Sequence, residues 1–109
     1  MVKIENGHIF LTRGDTFSCK VNIFNADGTE YIPETDDIIR FAMKRTIDDR
    51  KPVISKIIPN DTLILAISSN DTKKLFFGDY LYDIQITFAN GNVDTFIPVN
   101  TFTLEMEVD

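Results

Sequence analysis

Apolar and polar positions alternate along most of this 109-residue chain, and the alternation breaks at short, regular intervals. Phe17, Cys19, Val21 and Ile23 share one parity, with Ser18, Lys20 and Asn22 on the other. Ile39, Phe41 and Met43 oppose Arg40 and Lys44, and Leu63, Leu65 and Ile67 fall on one side. Tyr80, Tyr82, Ile84, Ile86 and Phe88 oppose Asp83, Gln85 and Thr87; Phe102, Leu104, Met106 and Val108 oppose Thr103, Glu105 and Glu107. A period of two with one dry face describes half-buried antiparallel strands. The breaks are turn formers: Arg13-Gly14-Asp15, Ala26-Asp27-Gly28, Thr35-Asp36-Asp37, Asp48-Asp49-Arg50, Pro59-Asn60-Asp61, Phe77-Gly78-Asp79 and Asn90-Gly91. Turn signals about 10 residues apart mark an all-β sandwich. The pattern predicts strands near 3–12, 16–24, 38–46, 53–58, 62–67, 79–88, 92–98 and 101–108. Asn90-Gly91 predicts a type I′ hairpin after the strand at 79–88. Phe17, Val21, Ile23, Phe41, Leu63, Leu65, Tyr82, Ile84, Ile86, Phe102 and Leu104 are the expected core.

One segment departs from the alternation. Ser68-Ser69-Asn70-Asp71-Thr72-Lys73-Lys74-Leu75 opens on capping residues and closes on bases, which predicts one short helical turn near 69–76. Just beyond it, Leu75, Gly78, Tyr80 and Tyr82 follow a spacing similar to the tyrosine corner of immunoglobulin-like domains, with Tyr82 where those domains carry their second cysteine. Tyr80 is therefore expected to bond through its hydroxyl to backbone a few residues upstream. The length suits a single domain over 1–109, and the expected class is all-β, an Ig-like antiparallel sandwich of about 7–8 strands.

Composition narrows the function classes. With 43% apolar residues the chain can bury a core. A net charge of −6 argues against nucleic-acid binding, which needs a basic stripe. No apolar run approaches the roughly 20 residues of a membrane span, and the first residues lack a signal peptide's apolar stretch. The expected setting is a cytoplasm, without insertion in a membrane. Charge is uneven along the chain. Residues 75–109 hold Asp79, Asp83, Asp94, Glu105, Glu107 and Asp109 and no base, whereas Arg40, Lys44, Arg45, Arg50, Lys51 and Lys56 cluster in one stretch. An acidic end and a basic middle are expected to lie on separate parts of the surface, suited to an oriented contact.

The chemistry-bearing residues read mostly as structure. Arg13-Gly14-Asp15 spells an integrin-type tripeptide but reads as a turn. Asn60-Asp61-Thr62 and Asn70-Asp71-Thr72 match glycosylation acceptors but read as turn and cap. His8 is the one histidine and Cys19 the one cysteine, so neither a disulfide nor a zinc site is expected. Cys19 sits on an inward parity, as a small hydrophobe. The pairs Asp36-Asp37 and Asp48-Asp49 lack the alternating oxygen ligands of a calcium loop. No nucleophile signature is present, so no catalytic, metal or cofactor residues are assigned and no enzymatic activity or small-molecule ligand is expected. Phe24, Phe96 and the pair Phe76-Phe77 fit the strand parities least well.

Taken in order, Leu11-Thr12-Arg13-Gly14-Asp15-Thr16-Phe17, Asp27-Gly28, Ile39-Arg40-Phe41-Ala42-Met43-Lys44, Asp71-Thr72-Lys73-Lys74-Leu75, Gly78-Asp79-Tyr80-Leu81-Tyr82-Asp83-Ile84-Gln85, Asn90-Gly91 and Thr101-Phe102-Thr103-Leu104 form a series. It resembles the small Ig-like domains of tailed-phage and prophage structural modules, in particular the N-terminal domain of the phage baseplate upper protein family. That resemblance implies a non-enzymatic tail or baseplate adaptor, made in a bacterial host cytoplasm and located in the virion, whose partners are other phage structural proteins or copies of itself. The candidate interaction residues are Asp83, Asp94, Glu105, Glu107, Arg40, Lys44, Phe76, Phe77 and Phe96. The alternatives are a module recognising host-surface saccharide and a cytoplasmic regulatory protein binding a basic partner through its acidic third.

Overall fold

Among residues 2–107, which the computed structural model describes, eight strands and one helical turn follow in order. They are β1 (Val2–Glu5), β2 (His8–Thr12), β3 (Phe17–Lys20), β4 (Ile38–Lys44), β5 (Ile54–Ile58), β6 (Ile64–Ile67), α1 (Ser69–Thr72), β7 (Gly78–Thr87) and β8 (Val93–Glu105). Six strands form a sheet in the order β1-β2-β8-β7-β4-β5, and β3 pairs with β6 in a second, two-stranded sheet. The class is mostly β, as the alternation predicts. The expectation of purely antiparallel pairing is corrected at one place: β2 lies parallel to β8, Ile9 opposite Phe102 through Thr12 opposite Glu105. A parallel pair needs a crossover rather than a hairpin, and here the crossover is nearly the whole chain between the two strands.

All eleven expected core residues are buried, in one cluster that draws on both sheets. Phe102 is its hub. Its ring meets Phe17 of the small sheet at 6.3 Å, Phe41 of β4 at 6.3 Å and Tyr82 of β7 at 6.2 Å, all edge-on. Edge-to-face contacts of this kind add to the area each ring removes from water. The alternation also runs beyond β3. Val21 and Ile23 are buried, and the Val21 N–H donates to the Leu63 carbonyl at 2.8 Å although no ladder continues there.

Several features differ from the sequence pattern, and the strand expected over 16–24 is paired only as β3, Phe17–Lys20. The strand expected over 3–12 is a hairpin, folded at Asn6 (φ 49°) and Gly7 (φ 84°) so that Glu5 opposes His8. Those two positive φ values are the type I′ geometry. At the second Asn-Gly the hairpin forms, but the turn differs. Gly91 alone has positive φ (89°) while the Phe88 N–H donates to the Asn92 carbonyl, which is a three-residue loop closed by a glycine bulge. The strands expected at 92–98 and 101–108 are one 13-residue strand, β8. It bends where Tyr82 opposes Asn100 but Ile84 opposes Ile97 and Gln85 opposes Thr95, so β8 carries an extra residue at each step. Pro98 sits in this stretch, and the inserted residues shift parity, so Phe96 packs against the core although alternation points it out. Met106 follows the end of β8 and is 64% exposed, not inward; Val108 lies outside the described residues.

Two tyrosines of β7 tie backbone outside their strand to the sheet. The Tyr80 hydroxyl donates to the Phe76 carbonyl at 2.7 Å, the bond that the Leu75-Gly78-Tyr80 spacing predicts. The Tyr82 hydroxyl donates to the Gly7 carbonyl in the β1–β2 turn. Asn100 reaches the same turn, its side-chain amide donating to the Asn6 carbonyl at 3.2 Å. A Cβ on Gly7 would stand 2.4 Å from that amide nitrogen, so close approach as well as φ demands glycine. Elsewhere, Asn60 donates its amide to the carbonyls of Glu34 and Asp37 at 2.8 and 2.7 Å, fixing the loop before β4. The structural role read for Asn60 therefore has named partners.

Each tyrosine hydroxyl bond is worth about 1 kcal/mol net. Tyr80→Phe and Tyr82→Phe should each lower the unfolding free energy by roughly that amount in urea titration. Phe102→Ala, which empties the hub, should cost about 3–5 kcal/mol. Cys19 is half-buried and burial pushes its thiol pKa up. It should label slowly in the native state and quickly in denaturant, read by mass spectrometry of the alkylated protein.

Candidate interaction surface

The outer face of the large sheet is built by the parity opposite to the core. β2 contributes His8, Phe10 and Thr12, each half-buried, alternating with buried Ile9 and Leu11. β8 contributes Thr101, Thr103 and Glu105; β7 contributes Asp79, Leu81, Asp83, Gln85 and Thr87. β4 contributes Ile38, Arg40, Ala42 and Lys44, and β5 contributes Ser55 and Ile57. Ala42, Lys44, Leu81, Asp83 and Val99 line a shallow recess of about 70 Å³ on this face, with Ile47 at its rim.

Charge is segregated laterally across this sheet. β7 and β8 carry Asp79, Asp83, Asp94 and Glu105 and no base, whereas β4 and β5 carry Arg40, Lys44 and Lys56 and no acid. The expected separation into distant parts of the surface is corrected. β4 and β7 are hydrogen-bonded neighbours, Ala42 opposite Asp83 and Arg40 opposite Gln85, so acids and bases share one sheet and meet along its midline.

A hydrogen-bonded row crosses three strands at the other side of the face. His8 Nε2 lies 2.7 Å from Thr103 Oγ1, and the Thr103 hydroxyl donates to Asp79 Oδ1 at 2.6 Å. Since the hydroxyl's one proton goes to Asp79, the imidazole donates to the hydroxyl. His8 also stacks on Phe10, the centroids 4.0 Å apart. The order is carboxylate, hydroxyl, imidazole. A nucleophile-activating triad has the imidazole in the middle and takes the hydroxyl proton onto nitrogen. The row thus fixes side chains across β2, β8 and β7 rather than freeing a nucleophile. Sequence reasoning missed it because the three residues are local neighbours only through the parallel β2–β8 register.

The end of the molecule near α1 is held by Arg13. Its guanidinium donates to Glu107 Oε1 at 2.5 Å and to the Leu75 carbonyl at 3.0 Å, and stands 5.3 Å over the Phe77 ring. The Gly14 N–H donates to Thr72 Oγ1 at 2.9 Å, the Thr72 side chain being fully buried. The tripeptide at 13–15 is a turn whose arginine is spent inside the molecule. Asp71 accepts from the Ser68 N–H at 2.7 Å and from Lys56 Nζ at 2.9 Å. Burial works against the Asp71 charge, but Lys56 and Ser68 outweigh it and hold the carboxyl below its ordinary range.

Arg40, Lys44 and Asp83 come together on the sheet face, with Lys44 and Asp83 half-buried. Asp94 and Glu105 are exposed at opposite ends of β8. Phe76 is 80% exposed, while its carbonyl is held by Tyr80. Phe77 is exposed on one side and covered by Arg13 on the other. Glu107 is engaged by Arg13, and Phe96 packs on the core. Arg45, absent from the candidate set, lies 4.9 Å over the Tyr80 ring and donates to the Asp79 carbonyl at 3.1 Å.

The hydrogen bond from Arg13 holds the Glu107 carboxyl below its ordinary value near 4.5. A depressed folded-state value means that the pair stabilises the protein above the unfolded value and is lost as pH falls through the folded one. Glu107→Gln should therefore lower the melting temperature at neutral pH and flatten its decline on acidification below about pH 4.5. Comparison with protein-family models, curated proteins and solved structures gives no match to this chain.

Proposed function

We propose that this chain is a non-enzymatic structural module of a tailed-phage or prophage particle, an Ig-like sandwich serving as an adaptor in the tail or baseplate. The observation that carries the reading is the outer sheet face, where acids on β7 and β8 meet Arg40 and Lys44 of β4 beside Leu81, Ala42 and Ile57. A broad surface of mixed apolar and charged side chains suits another protein surface, with the charges setting orientation. Phe76 adds a fixed aromatic anchor at the α1 end, since its backbone is tied before any partner arrives. The Ig-like reading is supported by the Tyr80 corner bond. The phage role rests on the ordered series from Leu11 to Leu104 that resembles baseplate upper protein N-terminal domains. No helix among the described residues is long and apolar enough to cross a membrane.

Immunogold labelling of purified particles from an induced host tests the role. Label at the tail tip or baseplate is expected. Particles free of the protein, together with binding to a glycan array or to a basic host protein, would overturn the adaptor reading in favour of saccharide recognition or regulation.

A further inference from the structure

The large sheet has two open edges at the same height. β2 pairs with β8 only from Phe102 to Glu105, so among the described residues no strand covers the other edge of β8 from Val93 to Ile97. β5 closes the opposite side of the sheet and pairs with β4 alone. The registers carry Ile57, Arg40, Gln85 and Thr95 onto one row, and Ile58, Ile39, Ile86 and Asp94 onto the next. The lower half of the sheet is thus four strands, β8-β7-β4-β5, with a free five-residue stretch at each side. Proline bounds both stretches: Pro52 and Pro59 bracket β5, and Pro98 follows Ile97. Proline cannot donate to a ladder, so pairing is confined to these windows.

We propose that copies of this chain join edge to edge, the β5 edge (Ile54–Ile58) of one pairing with the β8 edge (Val93–Ile97) of the next. The inference deepens the adaptor reading by naming its partner, and rests on it for the biological setting alone. Successive antiparallel pairings from β8 to β5 leave these two strands running in opposite senses. A neighbour standing the same way up therefore offers β5 antiparallel to β8, the sense whose ladder is slightly the more stable. Charge selects the partner. The β8 side carries Asp94 and no base, while the strands at the β5 side carry Arg40, Lys44 and Lys56 and no acid; in the loop before β5, Arg50 and Lys51 balance Asp48 and Asp49. Joining like edges would bring acid to acid or base to base; joining unlike edges brings acid to base. Exposed Ile57 (56%) and Val93 (58%) gain apolar neighbours in the joined sheet. The contact is heterologous, so it builds a ring if the rotation closes and a filament if it does not.

Sedimentation velocity on the purified full chain over a concentration series tests this. Mass above the monomer should rise with concentration, and the dissociation constant should rise about tenfold or more as salt screens the contact. Two variants each put the wrong charge on one edge: Ile57→Glu on β5, which sets acid against Asp94, and Asp94→Lys on β8, which sets base against the basic β5 side. Both side chains are exposed, so circular dichroism and melting should match the parent. Each variant alone should be monomeric, and their equimolar mixture should associate one to one, because each supplies the edge that the other has lost. A parent that stays monomeric at every concentration overturns the proposal. So does an Ile57→Glu variant that still self-associates, which would mean β8 against β8, or a mixture that fails to restore pairing. Label on virions combined with a monomeric parent would leave the adaptor role standing and remove this inference alone.

Discussion

The short parallel contact between β2 and β8 decides most of what this molecule presents to its surroundings. It covers four residues of a strand thirteen residues long, Phe102–Glu105 of Val93–Glu105. Above that contact the chain is tied in depth. Arg13 leaves β2 with its N–H on the Glu105 carbonyl and its guanidinium on Glu107 and Leu75, and His8 reaches Asp79 through Thr103. Below it, β7 and β8 run on as a long hairpin, and no strand among the described residues covers the other side of β8. The bend in β8 falls at the boundary between the two regimes, where Asn100 and Tyr82 clasp the Asn6-Gly7 turn.

The core was legible in the sequence because a pleated strand has only two sides. Each run of alternation names its buried set, and the eleven residues from Phe17 to Leu104 are buried together. The Tyr80 bond was legible for a similar reason, being local: donor and acceptor lie four residues apart. What could not be read depends on register between distant segments. Nothing near His8 says that it will stand beside Thr103, and nothing near Arg13 says that Glu107 will come to it. Among the candidate residues, Glu107 lost its place as a free surface charge for that reason, and Phe96 lost its exposure to an inserted residue in β8 that periodicity cannot show. Asn6-Gly7 is different: the signal was present, but the apolar residues on both sides masked the turn as continuous strand.

Charge followed the same logic. Composition along the chain shows an acidic last third and a basic middle, but only the strand order shows how they meet. Because β4 inserts beside β7, the basic stretch and the acidic stretch become the two halves of a single sheet. A surface graded from acid to base across its width has a direction, and copies that meet by unlike edges preserve it. The proposed adaptor role would use such directed contact.

Amide hydrogen exchange measured on the full chain at low and high protein concentration tests the central claim most directly. The account predicts that amides of Val93–Ile97 and of Ile54–Ile58 gain protection together as concentration rises, while those of Phe102–Glu105, already covered by β2, stay unchanged. Protection that appears elsewhere, on the Phe76 corner or the outer face, with both edges still exchanging freely, would contradict it.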